Sequence, residues 1–190
     1  MQDEGRFSRP DALILVRHAE AMSNVGHPEL PDAEDGLTAA GSGQAEAVAW
    51  ELSALYDVGA RGAPVLLVSS LRRARETALP IQRALGTPPS FVARLREQES
   101  RESATEVLAR FDSVVAGLRE GTDAVFVTHG NVIRLVLARC LGLADAPLYA
   151  VNASISVLHR DPVRVVAFNL FAHLVREPYR ATPVPLMVPE

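Results

Sequence analysis

"LILVRHAEAMSN" occupies residues 13–24. Four apolar residues run straight into Arg17 and His18, and Glu20 follows two positions on. A short apolar run without polar alternation is the pattern of a strand covered on both faces, as in the centre of a parallel sheet. A cation beside an imidazole is a poor way to finish a hydrophobic core. It is a reasonable way to begin an anion site.

"VLLVS" (65–69) and "AVFVT" (124–128) share the pattern, and "SISVLH" (154–159) with its partner "VRVVAFN" (163–169) also reads as strand. Helical periodicity lies between them. "LTAAGSGQAEAVAWELSALY" (37–56) has Thr38 placed to cap its start. "RRARETALPIQRAL" (72–85) carries Pro80, where a kink or break is expected. "SATEVLARFDSVVAGLRE" (103–120) opens on Ser103 with Glu106 three residues later, a capping-box pattern. "NVIRLVLARCLGL" (131–143) follows the third strand at once. Such alternation predicts an α/β fold: a three-layer sandwich with a mostly parallel central sheet and helices on both faces. "HRDPVR" (159–164) reads as a tight hairpin turn that adds an antiparallel element at one edge.

The chain has 190 residues, the size of one domain, so a single domain over 1–190 is expected, with 1–10 and 180–190 as flexible tails. Apolar residues make up 48% of it, which argues against disorder. No apolar run approaches the roughly 18–20 residues that span a bilayer, and "MQDEGRFSRP" does not read as a secretory signal. Cys140 is the only cysteine, which excludes an internal disulfide and a cysteine-based zinc cluster. A cytoplasmic protein is the expectation. The net charge of −4 argues against a nucleic-acid partner. All 19 basic residues are arginine. Without lysine, neither a Schiff base nor a Walker A phosphate loop can form.

In open parallel sheets, ligands bind beyond the carboxyl ends of the strands. The first strand ends in Arg17-His18. The second ends in Ser69, followed by Arg72, Arg73 and Arg75. The third ends in Thr128-His129-Gly130, where a helix begins. Two histidines and an arginine cluster are thereby expected on one rim, beside a helix N-terminus that favours anions. A phosphoryl group suits this set: guanidinium groups match its oxygens, and an imidazole can attack phosphorus. His27, His159 and His173 are scattered, with no pair at HxxxH or HxH spacing, so no metal site is expected.

"VRHAEAMSN", "SSLRRARETA" and "VTHGNVIRLVLARCLGL" resemble the three signature stretches of the histidine phosphatase superfamily, the phosphoglycerate mutase-like family. "GLTAAGSGQA", "RESATEVLARF", "VNASISVL" and "FNLFAHL" are similar to its weaker segments, in order over about residues 12–175. The resemblance implies a phosphoglycerate mutase-like fold and assigns roles. His18 becomes the nucleophile that forms phosphohistidine. Arg17 and Arg73 grip the phosphate, with His129 as the pocket's second histidine, and Asn24 matches an asparagine that often reaches the phosphate. Nearby positive charge is expected to keep His18 neutral. A general acid must protonate the leaving oxygen. Family members usually carry a glutamate after a leucine, and "RLREQESRES" (94–103) offers Glu97, Glu99 and Glu102, of which Glu97 matches best. The glycine-tryptophan-glutamate segment that often follows is missing. Ala19 stands where glycine is commoner.

The implied function is a metal-independent, cofactor-free phosphatase that hydrolyses phosphate monoesters of a small metabolite through phosphohistidine on His18. A phosphohistidine phosphatase acting on a protein, a phosphoglycerate mutase and a non-catalytic phosphate-binding module are the alternatives. A mutase must keep its phosphoenzyme from water, and the trimmed segment around the acid favours hydrolysis. The expected partner is a small-molecule phosphate ester, with no nucleic acid and no membrane; a homodimer is compatible. Specificity is expected from residues 22–36 and 93–102.

Overall fold

The computed structural model describes residues 11–55, 62–143 and 148–174. The segments 1–10 and 180–190, read as tails, lie outside them, as does Tyr56 at the end of the first helical pattern. The strands are β1 (Ala12–Arg17), β2 (Val65–Ser69), β3 (Pro89–Val92), β4 (Ala124–Thr128), β5 (Ile155–Arg160) and β6 (Val163–Leu170). The helices are α1 (Ala39–Leu55), α2 (Arg72–Leu85), α3 (Ala104–Val115) and α4 (Gly130–Leu141). The sheet order is β3-β2-β4-β1-β5-β6. β3, β2, β4 and β1 are parallel, and the β5–β6 hairpin adds to β1 antiparallel.

Alternation along each central strand feeds two cores. Ile14, Val16, Leu66, Val68, Val125 and Val127 pack toward α1 and α2. Leu13, Leu15, Ala124 and Phe126 pack toward α3 and α4. Both faces of β1 are therefore apolar, and all six of its residues are buried. The expected sandwich with its antiparallel edge is the fold observed. The expected capping box is present as well: Glu106 N–H donates to Ser103 Oγ, and Ser103 N–H donates to Glu106 Oε2.

One local reading needs correction, and one strand was not read from the sequence. Pro80 does not break its helix, which runs unbroken from Arg72 to Leu85. One backbone hydrogen bond is forgone at Pro80, but the inward stripe of Ala74, Thr77, Ala78, Ile81 and Leu85 stays buried across it. β3 gives no strand signal of its own because it is short and opens on Pro89. A proline is tolerated as the first residue of an edge strand, and β3 is the edge next to β2.

The start of α1 is built against the backbone that follows His18. Thr38 caps the helix by accepting from Gly41 N–H at 2.9 Å, and its hydroxyl donates to Glu20 Oε1 at 2.7 Å. Glu20 N–H donates to Gln44 Oε1 at 2.9 Å. A side-chain methyl on Gly41 would lie 1.9 Å from the Glu20 carbonyl oxygen, inside any permitted contact. Gly41→Ala is therefore expected to push the 18–20 backbone out of place and to destabilise the protein by about 1–3 kcal/mol, the usual scale of overpacking. Urea unfolding of the two proteins measures this, and an unchanged midpoint would show that the contact is not needed.

Candidate active site

The site begins where β1 stops. Arg17 N–H donates to Ser154 O at 3.1 Å, on the β5 side, and His18 N–H donates to Thr128 O at 2.9 Å, on the β4 side. Ala153 N–H is shared between the carbonyls of Arg17 and His18, each at 3.2 Å, and Asn152 Nδ2 donates to the His18 carbonyl at 3.1 Å. Ala19 N–H donates to Thr77 Oγ1 at 3.0 Å. Each neighbouring element thus takes part in fixing two residues whose side chains are polar and buried.

His18 Nδ1 lies 2.8 Å from the Ala19 carbonyl oxygen. A carbonyl can only accept, so Nδ1 carries the hydrogen and Nε2 carries the lone pair. The His129 ring stands 5.1 Å from that of His18 between centroids, at 55°. His129 is the N-cap residue of α4 and is fully buried. Its Nε2 is 2.8 Å from Ser69 Oγ, while Nδ1 has no partner among the described residues.

Arg17 donates through Nη1 to the Ala150 carbonyl, and its guanidinium carbon sits 5.2 Å from the Tyr149 ring centre. Its Nε is buried and has no hydrogen-bond partner among the described residues. Gly130 passes so close that a methyl there would meet Arg17 Nε at 3.3 Å. Arg73 places Nη1 at 2.8 Å from both Asp32 and Asp35. Asp35 is itself buried and accepts from Ser23 N–H and Ser23 Oγ at 2.9 and 2.7 Å. Both ion pairs of Arg73 use one terminal nitrogen, which leaves its remaining N–H groups for a ligand. Arg72 and Arg75 do not join it. Arg72 turns outward to Glu76 at 2.7 Å and Arg75 lies over Phe91 at 4.8 Å. The sequence placed all three arginines on one rim, but helical rotation sends successive side chains about 100° apart.

Burial holds the imidazole of His18 well below its ordinary range, and the charges of Arg17 and Arg73 push it the same way. The hydrogen bond to Ala19 opposes them less strongly. His129 is depressed for the same leading reason, with His18, Arg73 and Arg17 adding to it. Nearby charge was the expected cause. Desolvation is the larger one.

Asn24 sits on an exposed turn, where its Oδ1 accepts from Ala21 N–H and from Asn152 Nδ2, each at 3.0 Å. That links it to the residue holding the His18 carbonyl. The three glutamates separate clearly. Glu102 accepts from Arg110 Nε at 2.7 Å and from Arg110 Nη2 at 3.2 Å, and that bond keeps its carboxyl below the usual range. Glu99 pairs with Arg96 at 2.7 Å. The Glu97 carboxylate pairs with no cation among the described residues: its Oε1 accepts the adjacent Gln98 N–H at 2.8 Å, while its backbone carbonyl accepts from Arg110 Nη2 at 3.3 Å. The chain just before Glu97 is pinned beside the histidines. Leu95 is fully buried, and its carbonyl accepts from Thr128 Oγ1 at 2.8 Å.

The other histidines stand apart. His27 lies 3.6 Å from Glu29, and His159 Nδ1 is 3.0 Å from Arg164. His173 is buried and donates from Nε2 to the Ala153 carbonyl at 2.9 Å, a structural role that steadies the loop behind His18. Ala19 is fully buried and belongs to the core that also holds Ala74 and Ala78. Sequence reasoning did not find Asp32 or Asp35. The acidic run "PDAEDG" (31–36) facing an arginine-rich helix start was their only signal. An open cavity of about 550 Å³ lies along the outer flank of α2, lined by Asp32, Ser70, Leu71, Arg75 and Phe91 among others. It shares Asp32 with the Arg73 cradle, but neither His18 nor His129 lines it.

Residues 13–100 and 98–170 match the histidine phosphatase superfamily, branch 1. A glucosyl-3-phosphoglycerate phosphatase from Mycolicibacterium vanbaalenii is 31% identical over 129 residues, which is 66% of this chain. The chain spans 54% of that relative's length. The mycobacterial glucosyl-3-phosphoglycerate phosphatase solved in complex with VO3 superimposes with a TM-score of 0.66 at 25% identity, over 85% of this chain and 100% of that one. Bacillus stearothermophilus YhfR gives a TM-score of 0.73 at 21% identity over 86% of this chain and 99% of that one, a likeness of fold alone. With the signature stretches at the carboxyl ends of β1, β2 and β4 and a family match running nearly the length of the described fold, this chain belongs to the histidine phosphatase superfamily, branch 1.

Proposed function

We propose that this chain is a phosphoric monoester hydrolase acting on a small phosphorylated metabolite. One observation carries the reading. The Nδ1–H of His18 is tied to the Ala19 carbonyl, so the unprotonated Nε2 is left as a nucleophile in a buried pocket with Arg17, Arg73 and His129. Nε2 attacks phosphorus, an N–P bond forms and the P–O bond to the leaving group breaks. Arg17, Arg73 and His129 stabilise the charge on the equatorial oxygens, and such preorganised donors supply much of the rate enhancement in phosphoryl transfer. Glu97 gives its proton to the leaving oxygen. Water then attacks phosphorus and loses a proton to the Glu97 carboxylate, and the N–P bond breaks to release phosphate and restore His18.

Glu97 fits this role by position and by a carboxylate that pairs with no cation among the described residues. It lies two residues beyond the Leu95 carbonyl held by Thr128, within about 7 Å of chain. Glu99 and Glu102 are occupied by arginines. The named activity of the Mycolicibacterium relative makes phosphorylated sugar-acid esters the first substrates to screen. The cavity beside α2 has the volume of a small-ligand site.

Three outcomes are expected. His18→Ala abolishes the phosphoenzyme and lowers kcat by several orders of magnitude. Rapid quenching of the wild type traps acid-labile, alkali-stable phosphate, with turnover unchanged in EDTA. A fully active His18→Ala variant would end the proposal.

Glu97→Gln slows esters with poor leaving groups by roughly 10²–10⁴-fold, the usual contribution of general acid catalysis. It spares p-nitrophenyl phosphate, whose phenolate needs less help. Steady-state rates across a series of leaving groups, with Glu99→Gln and Glu102→Gln as controls, test this. If none of the three shows the dependence, the leaving group departs unaided and a protein phosphohistidine becomes the better substrate.

The depressed pKa of His18 means that the imidazole stays neutral as the pH falls through the ordinary value of 6.5. In the unfolded chain it takes up a proton there. His18 therefore adds no pH-dependent cost to folding above 6.5, and stability falls progressively as the pH drops below it. A carbon-13 NMR titration of the histidine rings should show His18 and His129 still neutral at pH 6. A midpoint at or above 6.5 for His18 would count against it as the nucleophile.

A further inference from the structure

Ser69, at the end of β2, has no part in the chemistry above, yet its surroundings are restrictive. It is fully buried. Its Oγ has two neighbours: Leu71 N–H donates to it at 3.3 Å, and His129 Nε2 lies 2.8 Å away. A hydroxyl has one proton to give and two lone pairs to offer. Leu71 uses a lone pair. The proton has one acceptor in reach among the described residues, His129 Nε2.

The bond can be read in two directions. If His129 donated from Nε2, the buried Ser69 hydroxyl would have no acceptor for its own proton. The bare Nδ1 lone pair of His129 would then confront any anion held by Arg17 and Arg73, and a lone pair repels an oxyanion. If Ser69 donates, its proton is satisfied and His129 carries its hydrogen on Nδ1. That is the ring nitrogen left buried without a partner among the described residues. A doubly protonated ring would escape the choice, but burial and the neighbouring guanidinium groups keep His129 neutral.

We infer that Ser69 is a positioning residue that fixes His129 in its Nδ1–H tautomer, so that the second histidine meets the phosphoryl group as a hydrogen-bond donor. Ser69 itself touches no substrate. Its effect passes through the ring, as the partners of metal-bound histidines orient their ligands and set the tautomer. The catalytic consequence rests on the phosphatase reading; the tautomer does not.

Nitrogen-15 NMR of the full-length wild type, labelled at histidine, reads the tautomer directly, with His129 assigned by the signals missing from His129→Asn. The expected result is a protonated Nδ1 and a bare Nε2. Ser69→Ala should move the proton to Nε2 and lower kcat by roughly 10–100-fold, the scale on which losing an orienting partner weakens a histidine. Ser69→Thr, which keeps the hydroxyl, should keep both the tautomer and most of the rate. A wild-type His129 protonated at Nε2 overturns the inference whether or not the variants fold, and so does Ser69→Ala with tautomer and rate unchanged. A protonated Nδ1 in a wild type that never forms a phosphoenzyme supports the Ser69 assignment and removes the phosphatase reading instead.

Discussion

The end of β1 must present two buried polar side chains without leaving its own backbone unpaired. An orphaned buried amide or carbonyl costs about 1–3 kcal/mol, so two or three such groups would remove much of a domain's margin of about 5–15 kcal/mol. The fold meets this constraint from several directions. β4 supplies the Thr128 carbonyl, the turn before β5 supplies the Ser154 carbonyl and the Ala153 amide, and α2 supplies Thr77. Ala153 adopts φ 59° to reach both carbonyls. That conformation is uncommon for a residue with a side chain, and His173 holds it from behind. With the backbone satisfied, Arg17 and His18 are free to serve a ligand.

Charge follows the same logic. A buried guanidinium needs compensation in the resting protein. Arg73 is matched by the buried Asp35 and the exposed Asp32, whereas Arg17 relies on the Ala150 carbonyl and the Tyr149 ring. The two arginines are therefore held differently: one by anions that offset its charge, the other by neutral groups that leave the charge intact. The neutrality of both histidines completes the balance, since two imidazolium ions beside two guanidinium ions would be strongly repulsive.

Much of this was legible along the chain because the governing patterns are local. The unbroken apolar runs of β1, β2 and β4 announced central strands, and polar residues directly after them marked the rim of the sheet. The β5–β6 hairpin and the Ser103 cap were readable from turn and capping chemistry. What stayed hidden depends on three dimensions. β3 is four residues long and begins with proline, so it gains its identity from β2 rather than from its own composition. Position along the chain did not part Arg73 from Arg72 and Arg75; only the family resemblance singled it out, and the rotation of α2 supplies the physical reason. The separation of Glu97 from Glu102 required knowing that Arg110, eight residues on, folds back onto the latter. The depression of His18 was expected in direction, but its main cause is burial, which no single segment reveals.

The cradle of Arg73 has a consequence for how such a protein can change. Asp32 and Asp35 belong to the connection between β1 and α1, the stretch of residues 22–36 from which substrate selectivity is expected. A graft that replaced this connection to recognise a different organic group would also remove the counter-charge of a buried arginine. If this connection selects the substrate and Arg73 holds the phosphate, as proposed above, the two properties are inherited together. Successful exchange of this loop between relatives requires that the acidic pair travel with it, or that Arg73 find a new anion in the host.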